Sequence, residues 1–130
     1  MSRLNLTQVG RVAVSVADTD RAIDFYVNTL GFEKVVDLPM RPDARWVEVA
    51  VAGTPTTVAL APPPPGKQAG GAETGIILDT TDVDADHAAL QAAGVDVDAE
   101  VARWGDPIPP MFWLRDPDGN SLCIVQPQGV

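Results

Sequence analysis

Few side chains in this sequence can do chemistry by type alone. The 130 residues hold one cysteine, Cys123, and one histidine, His87. A lone cysteine excludes an internal disulfide framework, and a lone imidazole excludes a metal site built from several histidines of one chain. His87 stands beside Asp86 in a stretch of helical spacing. A half-exposed helix residue is the ordinary role there, and a metal ligand or general base the rarer one. Cys123 lies in the apolar run Ser121-Leu122-Cys123-Ile124-Val125, without a visible base partner, as a small buried residue would. No Ser–His–Asp order, phosphate loop or Cys/His zinc spacing occurs.

Charge and aromatic surface remain. Arg11 opens an otherwise apolar strand, Arg11 to Val16. A guanidinium there pairs with a ligand carboxylate or with Glu48, or else is a solvated strand end. Trp46, Trp104 and Trp113 supply three of the seven aromatic residues and could stack on a planar or cationic ligand. Core or dimer-interface packing is the competing use. Trp104, in the loop Arg103-Trp104-Gly105-Asp106-Pro107, is the one packing demands least. Among the carboxylates Glu48, Asp79, Glu100 and Asp106, no three share a spacing that would gather them on one strand face, so no hidden metal site is expected.

Eighteen acids against nine Lys and Arg leave a formal charge of −9. Such a chain suits neither nucleic acid nor an anionic membrane, and draws small cations over a range that salt shortens. Apolar residues make up 45% and charged residues 21%, a globular composition for one domain over 1–130. No run approaches the roughly 18 apolar residues of a membrane span, and the first ten residues lack a signal core. A cytoplasmic protein is expected.

An internal repeat positions these side chains. Val12, Val14 and Val16 alternate with Arg11, Ala13 and Ser15 as in a strand with one apolar face. Asp18 or Thr19 then caps a helix carrying Ile23, Tyr26, Val27 and Leu30 on one side, and Gly31 stops it. Gly75 to Thr80 repeats the strand, Asp82 caps a second helix with Val83, Leu90 and Ala93, and Gly94 ends it. The spacing is 64 residues from Asp18 to Asp82 and 63 from Gly31 to Gly94. Thr57 to Ala61 maps in the same way onto Ser121 to Val125. Further strands are expected near Glu33 to Leu38, Arg45 to Val51, Asp96 to Ala102 and Met111 to Arg115. The pattern is α+β: a βαβββ module over about 9–61, a Pro/Gly linker over 62–73, and a second βαβββ module over about 74–127, in pseudo-two-fold arrangement.

Asp116-Pro117-Asp118-Gly119-Asn120 has turn chemistry throughout. A five-residue loop there pairs Leu114 with Leu122 and Trp113 with Cys123. Phe112, Leu114, Leu122 and Ile124 then face the helix, and Met111, Trp113, Cys123 and Val125 face away. A bulge would exchange Phe112 and Trp113. The face without a helix is too apolar to be solvated, so it needs a partner, and two curved sheets would make a cup for a small ligand.

Val14 to Asp18, Ala22 to Tyr26, Leu30-Gly31-Phe32 and Phe112 to Asn120 resemble the vicinal oxygen chelate superfamily, also called the glyoxalase/bleomycin-resistance/dioxygenase family, over about Val9 to Pro127. The resemblance implies that fold. Metal-dependent members take a ligand from the first and last strand of each module, at positions that correspond here to Arg11, Ala59, Gly75 and Cys123. A cation, two residues without donors and one thiol do not make that site, so no metal or other cofactor is expected. The resemblance implies three functions. The first is a metal-independent homodimer that sequesters a cationic antibiotic or metabolite, with Arg11, Trp46, Trp104, Met111, Trp113 and Cys123 at the ligand. The second is a metal-independent lyase, isomerase or epimerase with Glu48 or Asp106 as base and Arg11 as clamp. The third is an interaction subunit that has lost its pocket. No nucleic-acid or membrane partner is expected.

Overall fold

The protein, a computed structural model, is described over residues 3–128. β1 (Arg11–Ser15) leads into α1 (Thr19–Ile23), which continues as a wide π-helical turn over Asp24–Thr29. β2 (Glu33–Arg41), β3 (Ala44–Ala50) and β4 (Thr57–Ala61) follow. The order then repeats as β5 (Glu73–Asp79), α2 (Val83–Ala92), β6 (Asp96–Val97), β7 (Met111–Arg115) and β8 (Ser121–Val125). The two four-stranded sheets have the strand orders β1-β4-β3-β2 and β5-β8-β7-β6, so they are topological copies. In each, the first strand is parallel to the last, and the other pairs are antiparallel.

The helix signals act as the sequence implies. Asp18 caps α1 by accepting from the Arg21 N–H at 3.1 Å, and Asp82 caps α2 by accepting from the Ala85 N–H at 3.0 Å. Gly31 and Gly94 end the helical stretches with φ of 81° and 80°. The wide turn is new: the Leu30 N–H reaches back five residues to the Phe25 carbonyl. Two consecutive aromatics, Phe25 and Tyr26, are both buried there.

Two strands depart from expectation. β2 runs on to Arg41 through Pro39, which an edge strand tolerates because one side of its ladder is free. β6 is only Asp96–Val97 rather than a strand to Ala102, with a single bridge from Ala102 to Met111 beyond it. The Asp98 carboxylate accepts from the Trp113 N–H and from Arg115, so a side chain draws on a ladder donor. Pro107, Pro109 and Pro110 then offer no N–H at all.

The β7–β8 hairpin has the expected register, Arg115 opposite Ser121, Leu114 opposite Leu122 and Trp113 opposite Cys123, without a bulge. Phe112, Leu114 and Leu122 are wholly buried on the helix side. They share one core with Val14, Val16, Tyr26, Val47, Leu60, Val83 and Leu90, and each helix packs on the sheet of its own module.

The turn after β7 joins the modules. The Asp116 carboxylate accepts from the Tyr26 hydroxyl at 2.9 Å, from the N–H groups of Asp118 and Asn120, and from the Asn120 side-chain amide. That amide also donates to the Ser15 carbonyl at 2.9 Å. Asp118 accepts from the Ala17 N–H and from Arg21. Gly70 must be glycine, because a Cβ there would stand 2.0 Å from the Asp118 carbonyl oxygen.

Burial, and then the charge and hydrogen bond of Asp116, push the Tyr26 phenol well above its ordinary range. The folded state therefore favours the neutral phenol. Its contribution is complete below about pH 10 and declines above that, as the unfolded tyrosine ionises. Tyr26→Phe should cost about 1–3 kcal/mol in urea unfolding at neutral pH, and part of the wild type's loss of stability above about pH 10 should vanish with it.

Candidate functional site

The faces opposite the helices carry the candidate site. Strand register puts Arg11 beside Thr57, Ala13 beside Ala59, and Glu48 on the other side of Ala59. Trp46 is two residues from Glu48 and shares its face. Glu48 is only 7% exposed. Its Oε1 accepts from the Thr57 hydroxyl at 2.6 Å, and its Oε2 accepts from the Trp46 indole N–H at 2.6 Å. Arg11 Nε stands 3.4 Å from the same Oε2. The hydrogen bond from Thr57, then that from Trp46, hold the carboxyl below its ordinary range. Burial opposes them, and the Arg11 charge adds to them.

On the second sheet, Cys123 pairs with Ile77 on one side and Trp113 on the other, and Met111 lies two residues along β7 from Trp113. Cys123 is buried, Met111 and Trp113 are half-buried, and Ile77 is 63% exposed. Burial pushes the Cys123 thiol up, and the charges of Glu73 and Asp98 push it further. A thiol so shifted is protonated at neutral pH and is a poor nucleophile.

The structure thus gathers Arg11, Glu48 and Trp46 by direct contact, and Met111, Trp113 and Cys123 by register. No hydrogen bond or ion pair among the described residues joins the two groups. Trp104 and Asp106 stand apart from both. Trp104 is exposed and lines a groove with Asp84, His87 and Glu100, beside α2. Asp106 is exposed, accepts from the Gln128 amide and has no contact with Arg11. His87 Nε2 lies 2.7 Å from the Asp98 carbonyl, with its ring edge-on to Phe112. Trp113, not Phe112, lies on the open face.

Sequence reasoning missed Thr57. Its signal was a hydroxyl two residues before Ala59, on the strand that pairs with the one carrying Trp46 and Glu48.

The four positions that would hold a metal in metal-dependent relatives do not fit one. The Arg11 guanidinium is itself a cation facing Glu48, Ala59 and Gly75 offer no side-chain donor, and Cys123 alone supplies one thiol. Among the described residues, no three His, Cys, Asp or Glu side chains are placed to hold an ion.

A duplicated βαβββ sheet pair with open faces defines a class of protein, and comparison names it. The chain belongs to the Glyoxalase/Bleomycin resistance protein/Dioxygenase superfamily, whose profile matches residues 8–124. It is similar to TnmS3, an antibiotic binding protein from Streptomyces sp. CB03234, with 36% identity, 97% of this chain and 100% of that one covered, and a TM-score of 0.83. It is also similar to a superfamily member from Sphaerobacter thermophilus DSM 20745, with 39% identity, 93% and 98% coverage, and a TM-score of 0.81. YetH of Bacillus subtilis (strain 168), an uncharacterized protein, is 30% identical over 93% of this chain and 99% of its own length. No helix among the described residues is long and apolar enough to cross a membrane.

A lowered carboxylate pKa contributes stability above the unfolded value, and that contribution fades as pH falls through the folded value. The Trp46 indole N–H resonance should hold steady from pH 7 to below about pH 4.3 and move only in stronger acid. Thr57→Val should bring that movement to higher pH, as followed by NMR titration.

Proposed function

We propose that the chain is a metal-independent small-molecule binding protein that sequesters a cationic antibiotic or metabolite, and that it works as a homodimer. The observation that carries this reading is the helix-free sheet face of each module, which holds the half-buried Trp46 in one and the half-buried Trp113 and Met111 in the other. Half-exposed aromatic side chains suit a planar or cationic ligand. Ile77 and Leu38, 63% and 58% exposed, add an apolar margin that a facing sheet from a second copy would cover. The likeness to an antibiotic binding protein supports the same reading.

Charge supports it too. Seven of the nine basic residues stand in ion pairs, with eight of the eighteen acids, so ten carboxylates have no basic partner among these pairs. The resulting field favours cations. A single buried cysteine suits the reducing cytoplasm.

The lyase, isomerase or epimerase reading draws less support. A general base works best with a pKa near the operating pH, whereas Thr57 and Trp46 hold Glu48 below its ordinary range.

Calorimetry against a panel of cationic antibiotics should find binding that weakens with salt, and silence at every salt concentration would sink the proposal. Trp113→Ala should weaken binding about tenfold, the worth of one good stacking contact. Ile77→Glu should leave the circular dichroism spectrum unchanged and shift the sedimenting species from dimer to monomer.

A further inference from the structure

We propose that Glu48 is a recognition post for one ammonium or guanidinium group, and that Arg11 holds the place of that group until it arrives. The inference rests on the binding reading above and names the group the site selects.

A buried carboxylate needs hydrogen bonds for its oxygens, and a nearby cation stabilises its charge further. Glu48 has the first in full measure. The Thr57 hydroxyl and the Trp46 indole N–H, each at 2.6 Å, fix one oxygen apiece and so orient the whole group. Both donors are neutral: the Trp46 indole N–H can only donate, and the Thr57 hydroxyl, which is free to turn, donates as well, so the pair holds the carboxylate in place without matching its charge.

That charge has a poor partner. Arg11 approaches through Nε at 3.4 Å, outside the 2.7–2.9 Å of a strong charge-assisted bond, and its side chain is 58% exposed. The other eight ion pairs among the described residues span 2.6–3.2 Å. Arg45, by contrast, forks onto both oxygens of Asp37 at 3.1 and 2.7 Å. The loosest pair thus falls on a carboxylate whose side chain is nine-tenths buried. An ionised carboxylate has about four acceptor positions, and Thr57, Trp46 and Arg11 fill at most three. An exposed, long ion pair is worth little, so displacing Arg11 costs an incoming cation little.

The surroundings narrow the ligand class. Trp46 lies beside Oε2, where displacement of Arg11 would open an acceptor position, and Leu38, opposite Trp46 on β2, extends an apolar surface from it. A primary amine or guanidine joined by a short linker to a planar ring would place its charge at Oε2 and its ring along Trp46.

Chemical rescue tests the post without the natural ligand. Ethylguanidinium chloride would be titrated into the wild type, Arg11→Ala and Arg11→Ala/Glu48→Gln at fixed ionic strength. The Trp46 indole N–H signal, assigned by its loss in Trp46→Phe, is the readout, and sodium propionate is the charge control. A saturable shift in Arg11→Ala is expected in the millimolar range, at least several-fold tighter than in the wild type and absent from the double variant. An equal response in wild type and Arg11→Ala, a response that survives Glu48→Gln, or one that propionate reproduces would overturn the proposal. Should the double variant fail to fold, the comparison of wild type with Arg11→Ala still decides it: a saturable response confined to the variant supports the post, and its absence refutes it. Rescue failing while cationic antibiotics bind would sink the post alone. Rescue succeeding while no antibiotic binds would sink the sequestering role alone.

Discussion

The arrangement of the two modules depends on one buried carboxylate. Asp116 receives four hydrogen bonds, from the Tyr26 hydroxyl, two backbone N–H groups and the Asn120 amide. With its acceptors filled, a charged turn can sit inside the joint between modules, where an unpaired carboxylate would be costly. Asn120 passes the connection to the Ser15 carbonyl at the end of β1, and Asp118 passes it to the start of α1. The pseudo-two-fold counterpart, Ala52 to Thr56, has no carboxylate and makes no such bonds among the described residues. Val51, just before that segment, borders a half-open pocket of about 260 Å³ shared with Leu30, Phe32, Leu78, Asp79, Asp86 and Leu90.

The same physical theme shapes the candidate site. Glu48 is a second buried carboxylate, also well supplied with donors, but its charge is matched by a long pair to an exposed arginine. Asp116 spends its hydrogen bonds within the fold, whereas Glu48 shares Oε2 between Trp46 and that arginine. In this chain the positions that serve metal coordination in some relatives carry a guanidinium, two side chains without donors and a single thiol. What remains on the open faces is aromatic surface and one oriented negative charge, the means of recognition by stacking and ion pairing.

Much of the fold could be read from spacing. The alternation of Val12, Val14 and Val16, the caps at Asp18 and Asp82 and the stops at Gly31 and Gly94 are local rules, and the structure obeys them. The β7–β8 register followed from a five-residue turn whose residues leave little freedom. The errors came where long-range contacts override local pattern. β6 stops early because the Asp98 side chain engages β7, and β2 outruns Pro39 because its outer side has no neighbour. Neither fact is visible in a short window of sequence. Trp104, plausible as a loop residue near a cup, lines a groove with Asp84 and His87 of α2.

The sequence by itself determined the repeat and the faces of its strands, because each depends on residue type and period. Only the tertiary structure decided that Thr57, Trp46 and Arg11 meet on Glu48, since they come from three strands brought together by register across a parallel and an antiparallel ladder. The direction of the carboxyl's pKa follows from that meeting: burial alone would raise it, and the two short hydrogen bonds reverse the sign.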